Sequence, residues 1–374
     1  MNPNWERMVF RSLFLLVVLA GGVGCSLENQ FNRSEGTHNI TPIPYFSSPP
    51  PVIASITSTP GLSDDQIKTL VSLRKVDDYP LYTMVYAGSY ELLDELAVDQ
   101  DTRLWHASQV RWGMPADWAC SLFAAIADRK TLYFGRNFDW EYSPALLLFT
   151  DPPEGYASVS MVDIAYLGFD PADFNSLTDL PLDQRQPLLS APMWPFDGMN
   201  ETGVAIGMAA VPSAEQEYDP SREDIGSLEI MREILDHAAN VAEAISIFKH
   251  FNIIFEGGPA LHYLVADSSG DSILVEFIHG ELQLIVSENQ WHLATNFLVN
   301  SADKTEGLCT RYDAISEQLT KDQGRINRAQ AMDLLSEVSQ QNTQWSILYD
   351  MGEGKIQIVM DRNYDQPHPF QLIP

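Results

Sequence analysis

The amino-acid sequence predicts an α+β fold in which antiparallel sheets carry helices on their outer faces. The chain has 374 residues and is 45% hydrophobic, which is enough to bury at least one full core. After residue 120, short apolar segments alternate with polar residues and are separated by tight turns, as half-buried antiparallel strands are. The helical segments come in blocks between groups of these strands, an order that fits stacked sheets and helices.

The first 24 residues have the pattern of an export signal. Arg7 and Arg11 precede the apolar run "SLFLLVVLA", which is too short to span a bilayer comfortably. Residues 1–24 are therefore predicted to be a signal peptide that is removed, and the protein is expected to be exported.

A cysteine follows the signal directly, in "GGVGC". A small residue before Cys25 is what a lipoprotein signal peptidase needs, although Gly22 stands where a leucine is usual. The sequence predicts a lipid on Cys25 that holds the protein at a membrane surface, either in the periplasm or on the cell surface. Ordinary cleavage near Ala20 or Gly24 is the alternative.

A tether and a small globular segment precede the main domain. Residues 25–60 are rich in Pro, Ser, Thr and Asn and are predicted to form, after the lipidated cysteine, a flexible tether. In residues 61–119 the composition is globular: "SDDQIKTLVSLRKV" has helical spacing after an N-cap at Ser63. The following "YPLYTMVYAGSYELLDELAV" suggests a strand or turn that leads into another helix.

The main domain, residues 120–374, opens with strands. The segments "SLFAAIA" and "TLYFG" flank the turn "DRK", and "ASVSMVDIAYLGF" and "GVAIGMAAV" follow. Two helices come next, "SLEIMREILDHA" and "NVAEAISIFKHF", and the second begins with Asn240 and Glu243 in capping-box spacing. The hairpins "LHYLVADSSGDSILVEF" and "WSILYDMGEGKIQIVM" then enclose a third helix. One face of this helix carries Ala331, Leu334, Leu335 and Val338.

Charge and cysteine content exclude several classes of function. With 22 basic and 51 acidic residues the formal net charge is −29, a field that repels nucleic acid. The three cysteines show no CxxC or Cys/His metal spacing, so we expect no metal, no organic cofactor and no disulfide framework. Cys309 is expected to be a lone, buried thiol.

Cys120 is the candidate nucleophile. A hairpin of residues 121–126 and 131–136 would return Arg136 and Asp139 to the strand end at which Cys120 stands, and thiolate chemistry needs such a cation and orienting group. No histidine lies in a recognisable Cys/His motif. The α-amine of Cys120 could serve as the base if the bond after Ala119 were cut, since its ordinary pKa of about 7.7 to 8.0 suits proton transfer.

These residues resemble a known family. Cys120, with Arg136 and Asp139 inside "YFGRNFDW", is similar to the N-terminal-nucleophile hydrolases of the choloylglycine hydrolase type, which include bile salt hydrolase, penicillin V acylase and acid ceramidase. The segment "DGMNETGVAIG" also resembles a motif of bile salt hydrolases that leads to an oxyanion-hole position. That position falls on Ala210, which offers only its backbone N–H where relatives commonly have Asn or Tyr.

A third match is "HLATNF" followed by "CTRYDAI". By resemblance, Asn296 would be the oxyanion-hole asparagine and Arg311 the late active-site arginine, at a spacing closer to the acid ceramidase and isopenicillin N acyltransferase branches. The resemblance covers about residue 110 to the C-terminus and implies an αββα sandwich, a propeptide-like segment at 61–119 and a catalytic domain at 120–374.

Each residue also has a purely structural interpretation. Cys120 could be core, Arg136 and Asp139 a surface ion pair, Asn296 a strand-end cap, and Arg311 part of a solvated helix. Their order and spacing, taken together, favour the catalytic interpretation. Aromatic residues flank the motifs. They could be ordinary core residues, and by their position beside the motifs they are predicted to line an apolar acyl pocket: Phe138, Trp140, Tyr142, Trp194 and Phe196.

The sequence therefore predicts an exported amidohydrolase that acts on N-acyl amides, which are small-molecule substrates, through self-cleavage before Cys120. An acyltransferase, in which an amine replaces water as the acyl acceptor, is the first alternative. A non-catalytic, ligand-binding surface lipoprotein is the second. Assembly into a homo-oligomer is possible in each case.

Overall fold

The computed structural model describes residues 61–90, 119–255 and 258–372. The predicted signal peptide, Cys25 and the tether lie outside the described residues. In the described part, the helices are α1 (Asp64–Val71), α2 (Glu229–His237), α3 (Val241–His250), α4 (Thr310–Lys321) and α5 (Arg328–Glu337). Short 3₁₀ turns occupy Ile164–Leu167, Pro171–Asp173, Leu177–Asp179 and Leu182–Met193. No helix in these ranges is both long and apolar enough to cross a bilayer.

Strands make up most of the rest. The first nine are β1 (Arg74–Asp77), β2 (Leu81–Val85), β3 (Ala119–Asp128), β4 (Thr131–Asp139), β5 (Ala145–Thr150), β6 (Ser158–Asp163), β7 (Asp197–Asn200), β8 (Ala205–Ala210) and β9 (Glu223–Gly226). They are followed by β10 (Phe251–Ile254), β11 (Leu261–Ala266), β12 (Ser272–Ile278), β13 (Glu281–Val286), β14 (Trp291–Ala294), β15 (Thr343–Asp350), β16 (Lys355–Met360) and β17 (His368–Gln371).

Two large sheets form the centre of the molecule. One has nine strands in the order β1-β2-β5-β6-β7-β8-β11-β12-β13, and the other has six in the order β14-β3-β4-β15-β16-β17. Neighbours in both sheets are antiparallel, except that β2 pairs with β5 in parallel. Strands β9 and β10 form a separate parallel pair.

The two sheets pack face to face, with helices on their outer sides. A glycine permits the closest approach: a Cβ on Gly207 of β8 would lie 2.6 Å from the side chain of Leu122 in β3. On the outer face of the nine-stranded sheet, a Cβ on Gly198 would meet Leu235 of α2 at 2.7 Å. Helices α4 and α5 pack on the outer face of the six-stranded sheet, through a core that includes Phe123. The predicted αββα sandwich is confirmed.

Most predicted elements are present. Ser63 caps α1 in a full capping box with Gln66, and the side chain of Asn240 accepts the Glu243 N–H at the start of α3. The predicted helical face of α5 is buried against the six-stranded sheet. Both predicted hairpins form, as β11–β12 and β15–β16.

Two predicted elements end earlier than expected. The segment 157–169 was expected to be one strand, but β6 ends at Asp163, whose side chain accepts the Ala165 N–H and starts a 3₁₀ turn. The helical pattern of residues 63–76 is also interrupted. Helix α1 ends at Val71, because the Ser72 hydroxyl bonds to the backbone of Val85 and turns the chain into β1.

The segment 61–90 is part of the nine-stranded sheet. Strand β2 lies between β1 and β5, and Leu81 and Tyr82 are completely buried there. The Tyr82 hydroxyl donates to the carbonyl of Phe174 at 2.9 Å, and Tyr79 donates to Gln344 in the other sheet at 2.8 Å. Residues before the predicted cleavage point therefore contribute directly to the core.

The cysteines are in different chemical states. Cys120 is a free, buried thiol. Cys309, which precedes α4, is also buried but is disulfide-bonded, so the expectation of a lone thiol there was wrong. Spacing alone could not show this, because a disulfide depends on the distance between two cysteines in the folded chain.

Candidate active site

Cys120 is the second residue of β3 and lies between the two sheets. It faces Phe138 across the β3–β4 ladder, and Ala119 faces Asp139. Its Sγ lies 3.7 Å from Nη2 of Arg136, and its backbone N–H donates to Oδ1 of Asn296 at 2.7 Å. The hairpin therefore places a cation beside the sulfur, as the sequence predicts.

Arg136 is completely buried and is fixed by an acidic partner that the sequence analysis did not identify. Its Nη1 donates to Oδ2 of Asp197 at 2.5 Å and to the carbonyl of Phe196 at 2.8 Å. Asp197 also accepts bonds from Tyr349, at 2.6 Å, and Trp345, at 3.3 Å. The guanidinium is thereby held with Nη2 toward Cys120.

Arg311, in the first turn of α4, forms a second buried centre of charge. Its Nη1 donates to the Cys120 carbonyl, lies 2.9 Å from Oγ of Ser121 and lies 3.5 Å from Oδ2 of Asp139. The other oxygen of Asp139 accepts the hydroxyl of Thr343 at 2.5 Å. Arg311 and Asp139 are therefore not surface groups, and both contact the strand that carries the cysteine.

Asn296 joins the cysteine strand to the end of β8. Its Oδ1 accepts from the Cys120 N–H and from Nη2 of Arg311 at 2.9 Å, while its Nδ2 donates to the carbonyl of Ala210 at 2.9 Å. A side-chain amide has two N–H donors, so one bond to Ala210 leaves the second available for a bound oxyanion. The structure thus brings together all six predicted catalytic positions: Cys120, Arg136, Asp139, Ala210, Asn296 and Arg311.

Burial has the largest effect on the pKa values of the ionisable groups in this site. It raises the pKa of the Cys120 thiol, and the positive charge of Arg136 opposes that shift. Burial also raises the pKa of Asp139 to about 6, against the opposing effects of Arg311 and the Thr343 hydroxyl. For Arg311, burial lowers the pKa, while Asp139 acts in the opposite direction.

The predicted substrate-binding aromatics fall into two groups. Phe138 and Phe196 lie beside the reactive centre, with ring centroids 5.3 Å apart, and Phe138 stacks on Trp345 at 4.1 Å. Trp194 joins the same group through Tyr166. The other two directly follow β4. Trp140 is largely buried in the same core cluster as Phe138 and Phe196, whereas Tyr142 is 48% exposed and contacts Tyr79 edge to face.

Sequence reasoning missed two residues that hold Arg136 and Asp139 in place, which are Asp197 and Thr343. Asp197 is the first residue of "DGMNETG", a motif that points to the oxyanion-hole position but gives no sign of the role of this carboxylate. Thr343 shows no signal in the sequence. In the ranges 61–90, 119–255 and 258–372, no group of three or more His, Cys, Asp or Glu side chains could hold a metal ion.

Part of the chain matches a known protein family. Residues 182–318 match the family model for linear amide C-N hydrolases of the choloylglycine hydrolase family. The resemblance predicted from the sequence is confirmed. The matched range contains Ala210, Asn296 and Arg311 of the site, whereas Cys120, Arg136 and Asp139 precede it.

Individual relatives are distant. An uncharacterized protein of Paramecium bursaria Chlorella virus 1 is 33% identical over 109 residues, which are 27% of this chain and 39% of that relative's length. The conjugated bile acid hydrolase of Clostridium perfringens, in a mutant form, is 17% identical, with a TM-score of 0.49 over 68% of this chain and 92% of that one. Penicillin V acylase from Agrobacterium tumefaciens is 18% identical, with a TM-score of 0.47 over 68% of this chain and 86% of that one.

Proposed function

We propose that this protein is a hydrolase of linear, non-peptide amides that uses Cys120 as an N-terminal nucleophile after cleavage of the Ala119–Cys120 bond. One observation carries the proposal: a free cysteine, near the start of a strand, is surrounded by two buried arginines, a buried carboxylate and an amide donor. The match of residues 182–318 to a family of linear amide hydrolases supports it.

The proposed reaction has two steps, formation of an acyl-enzyme and its hydrolysis. The α-amine of Cys120 takes the thiol proton, the sulfur attacks the amide carbonyl, and the amine product leaves with a proton. The sulfur then holds the acyl group as a thioester, which water hydrolyses to a carboxylic acid. Asn296 already accepts the N–H of Cys120, so it is placed to orient the amine that cleavage would create.

Stabilisation of the tetrahedral intermediate falls to Asn296 and to the backbone N–H of Ala210. Loss of one such donor typically costs about 2.7 to 4 kcal/mol of transition-state stabilisation. Arg136 stabilises the thiolate, and Arg311 fixes the carbonyl of Cys120 and the Asn296 amide. Phe138 and Phe196 provide an apolar wall that suits an acyl chain.

Self-cleavage is tested by intact mass and denaturing electrophoresis of the purified protein, both after reduction of the disulfide at Cys309. We expect wild-type protein to give two pieces, with Cys120 as the new N-terminus, and the Cys120→Ala variant to stay one chain. A wild-type protein that hydrolyses amides as a single uncleaved chain would disprove the N-terminal-nucleophile mechanism.

Substrate class is tested with a panel of long-chain N-acyl amino acids, N-acylethanolamines, conjugated bile salts, penicillin V and a plain peptide. We expect an N-acyl amide with an apolar acyl part to be hydrolysed fastest, with loss of activity in Cys120→Ala. A preference for the peptide, or equal activity of the Cys120→Ala variant, would refute the proposal.

A further inference from the structure

A histidine and a glutamate outside the reactive centre form a buried pair. His262 of β11 and Glu276 of β12 adjoin the Tyr263–Val275 pair of the β11–β12 ladder, and the two side chains are 1% and 0% exposed. Each interrupts an otherwise apolar strand, "LHYLVA" and "SILVEFI". Neither residue contacts Cys120, so the mechanism above does not use them.

The hydrogen bonds of this pair converge on the loop that carries Asn296. His262 Nε2 lies 2.7 Å from the carbonyl of Thr295, directly before Asn296. Glu276 accepts the backbone N–H groups of Val299 at 2.7 Å and Asn300 at 3.0 Å. The pair thus holds both ends of residues 295–300.

Every polar side-chain atom of this pair has a partner. His262 Nδ1 faces Oε1 of Glu276 at 3.2 Å, and Nε2 faces a carbonyl oxygen. A carbonyl oxygen can only accept, so Nε2 carries a hydrogen and donates to Thr295. Glu276 accepts the two loop N–H groups, one at each oxygen of its carboxyl group.

Stability alone is a poor reason for such a pair. Taking polar side chains out of water costs desolvation free energy that their hydrogen bonds must offset, and apolar side chains of similar volume often stabilise a fold as well or better. A fully hydrogen-bonded buried pair does, however, fix its partners in one arrangement. In this protein the pair fixes the backbone on both sides of Asn296, at Thr295 and at Val299 and Asn300.

We propose that His262 and Glu276 are positioning residues that hold the 295–300 loop so that the Asn296 amide points at the reacting carbonyl. The proposal rests on the proposed function, because it assigns Asn296 to the oxyanion. The side chain of Asn296 is held by Cys120, Arg311 and Ala210, and the His262–Glu276 pair supplies the constraint on its backbone. Precise placement matters because oxyanion donors must lie within 2.7–3.1 Å, and a misplacement of about 1 Å can cost about a hundredfold in rate.

The test uses Glu276→Gln, with Asn296→Ala as the reference for a lost oxyanion donor. Glutamine keeps the size of Glu276 but presents an N–H group to one of the two loop amides. We expect kcat to fall about tenfold or more while KM changes less than about twofold. The rate at which iodoacetamide alkylates Cys120 should not change, and activity is expressed per molecule with a free Cys120 N-terminus, measured by intact mass.

The matched control is His368→Gln. It breaks another His–carboxylate pair, in which Nε2 of His368 in β17 lies 2.6 Å from Oδ2 of Asp77. It should leave kcat unchanged. An unchanged kcat in Glu276→Gln would overturn the proposal. A parallel fall in kcat and alkylation rate would also overturn it, because that result indicates a general structural role.

The inference can be separated from the proposed function by hydrogen exchange of the 295–300 amides. If wild-type protein hydrolyses no amide, the proposed function fails. The loop is then examined alone: Glu276→Gln should speed exchange of these amides relative to wild type and to His368→Gln. Unchanged exchange would refute the positioning role whether or not the protein is an amidohydrolase.

Discussion

The guanidinium of Arg136 is balanced by Asp197, and both side chains have no exposed surface. Replacing Arg136 with Met leaves the carboxylate buried without its cation, which typically costs about 3–5 kcal/mol of unfolding free energy. We expect Arg136→Met to be destabilised by that amount in denaturant unfolding and its Cys120 to be alkylated more slowly.

A double variant separates stability from reactivity. Arg136→Met combined with Asp197→Asn removes both charges, so it should regain much of the lost stability. Its Cys120 should remain slow to alkylate, because the cation is still absent. Restored alkylation in the double variant would contradict the role of Arg136 in stabilising the thiolate.

The buried carboxyl group of Asp163, away from the reactive centre, should make the stability of the protein depend on pH. Burial raises its pKa from 3.8 to about 7, although Ser143 and the Ala165 N–H donate to it. Between these two values the folded protein holds a proton that the unfolded chain releases, so stability decreases as pH rises. The shift corresponds to about 4 kcal/mol at most, at about 1.4 kcal/mol per pKa unit.

Asp163→Asn imitates the protonated carboxyl and should remove this pH dependence. In thermal unfolding we expect its Tm to equal that of wild type at about pH 3, below both pKa values, and to exceed it by a growing margin from about pH 4 to about pH 8. Asp151→Asn, at an exposed position, is the control and should change neither value. Parallel Tm curves for Asp163→Asn and wild type would contradict the prediction.

How far the sequence predicts single residues depends on what those residues contact. Cys120, Arg136 and Asp139 lie in one hairpin, so local spacing and the turn were enough to place them together. Asn296 and Arg311 come from distant segments and were assigned only by resemblance. Asp197, Thr343, His262 and Glu276 act through other protein groups, and their partners are defined only by the packing of the two sheets.

At the scale of elements, α1, β1 and β2 precede the proposed cleavage point but belong to the nine-stranded sheet. Because β2 is paired on both sides and buries Tyr82, we expect the piece before Cys120 to stay bound after cleavage. Size-exclusion chromatography under native conditions should give one peak that contains both pieces.

Tyr82→Ala should weaken this association, because deleting a buried aromatic ring typically costs about 3–5 kcal/mol. The control is Tyr218→Ala, since Tyr218 is 60% exposed. Separation of the two wild-type pieces without denaturant would contradict the prediction.

Alternating apolar segments and capping residues predicted the hairpins and helices well, because both signals are local. The order of strands was not predictable in the same way. The parallel β2–β5 pair joins segments that are more than fifty residues apart, and its register depends on the side chains that both sheets bury. The early ends of α1 and β6 are set by side-chain bonds to backbone, from Ser72 and Asp163.

At the scale of the whole molecule, we propose that the protein is exported and anchored by a lipid on Cys25, on the basis of the sequence before and after that residue. Wild-type protein should partition into detergent and carry the mass of a lipid, and Cys25→Ser should remain in the aqueous phase. Equal partitioning of the two proteins would contradict the anchor. Because Cys120 is free and Cys309 is disulfide-bonded, an anchored protein needs a partner for Cys309 in another chain. A disulfide between Cys25 and Cys309, sought by peptide mapping without reductant, would contradict the anchor because the lipid occupies the same sulfur.

The position of β2 has a mechanical consequence if both the anchor and the cleavage occur. The membrane-bound piece would then be connected to the piece with Cys120 only through noncovalent contacts, chiefly the β2–β5 ladder. Moderate denaturant would release the piece that carries Cys120 from membranes without any protease. This piece would bind again when the denaturant is diluted. The strength of attachment to the membrane would thus be set inside the protein fold, by one pair of parallel strands.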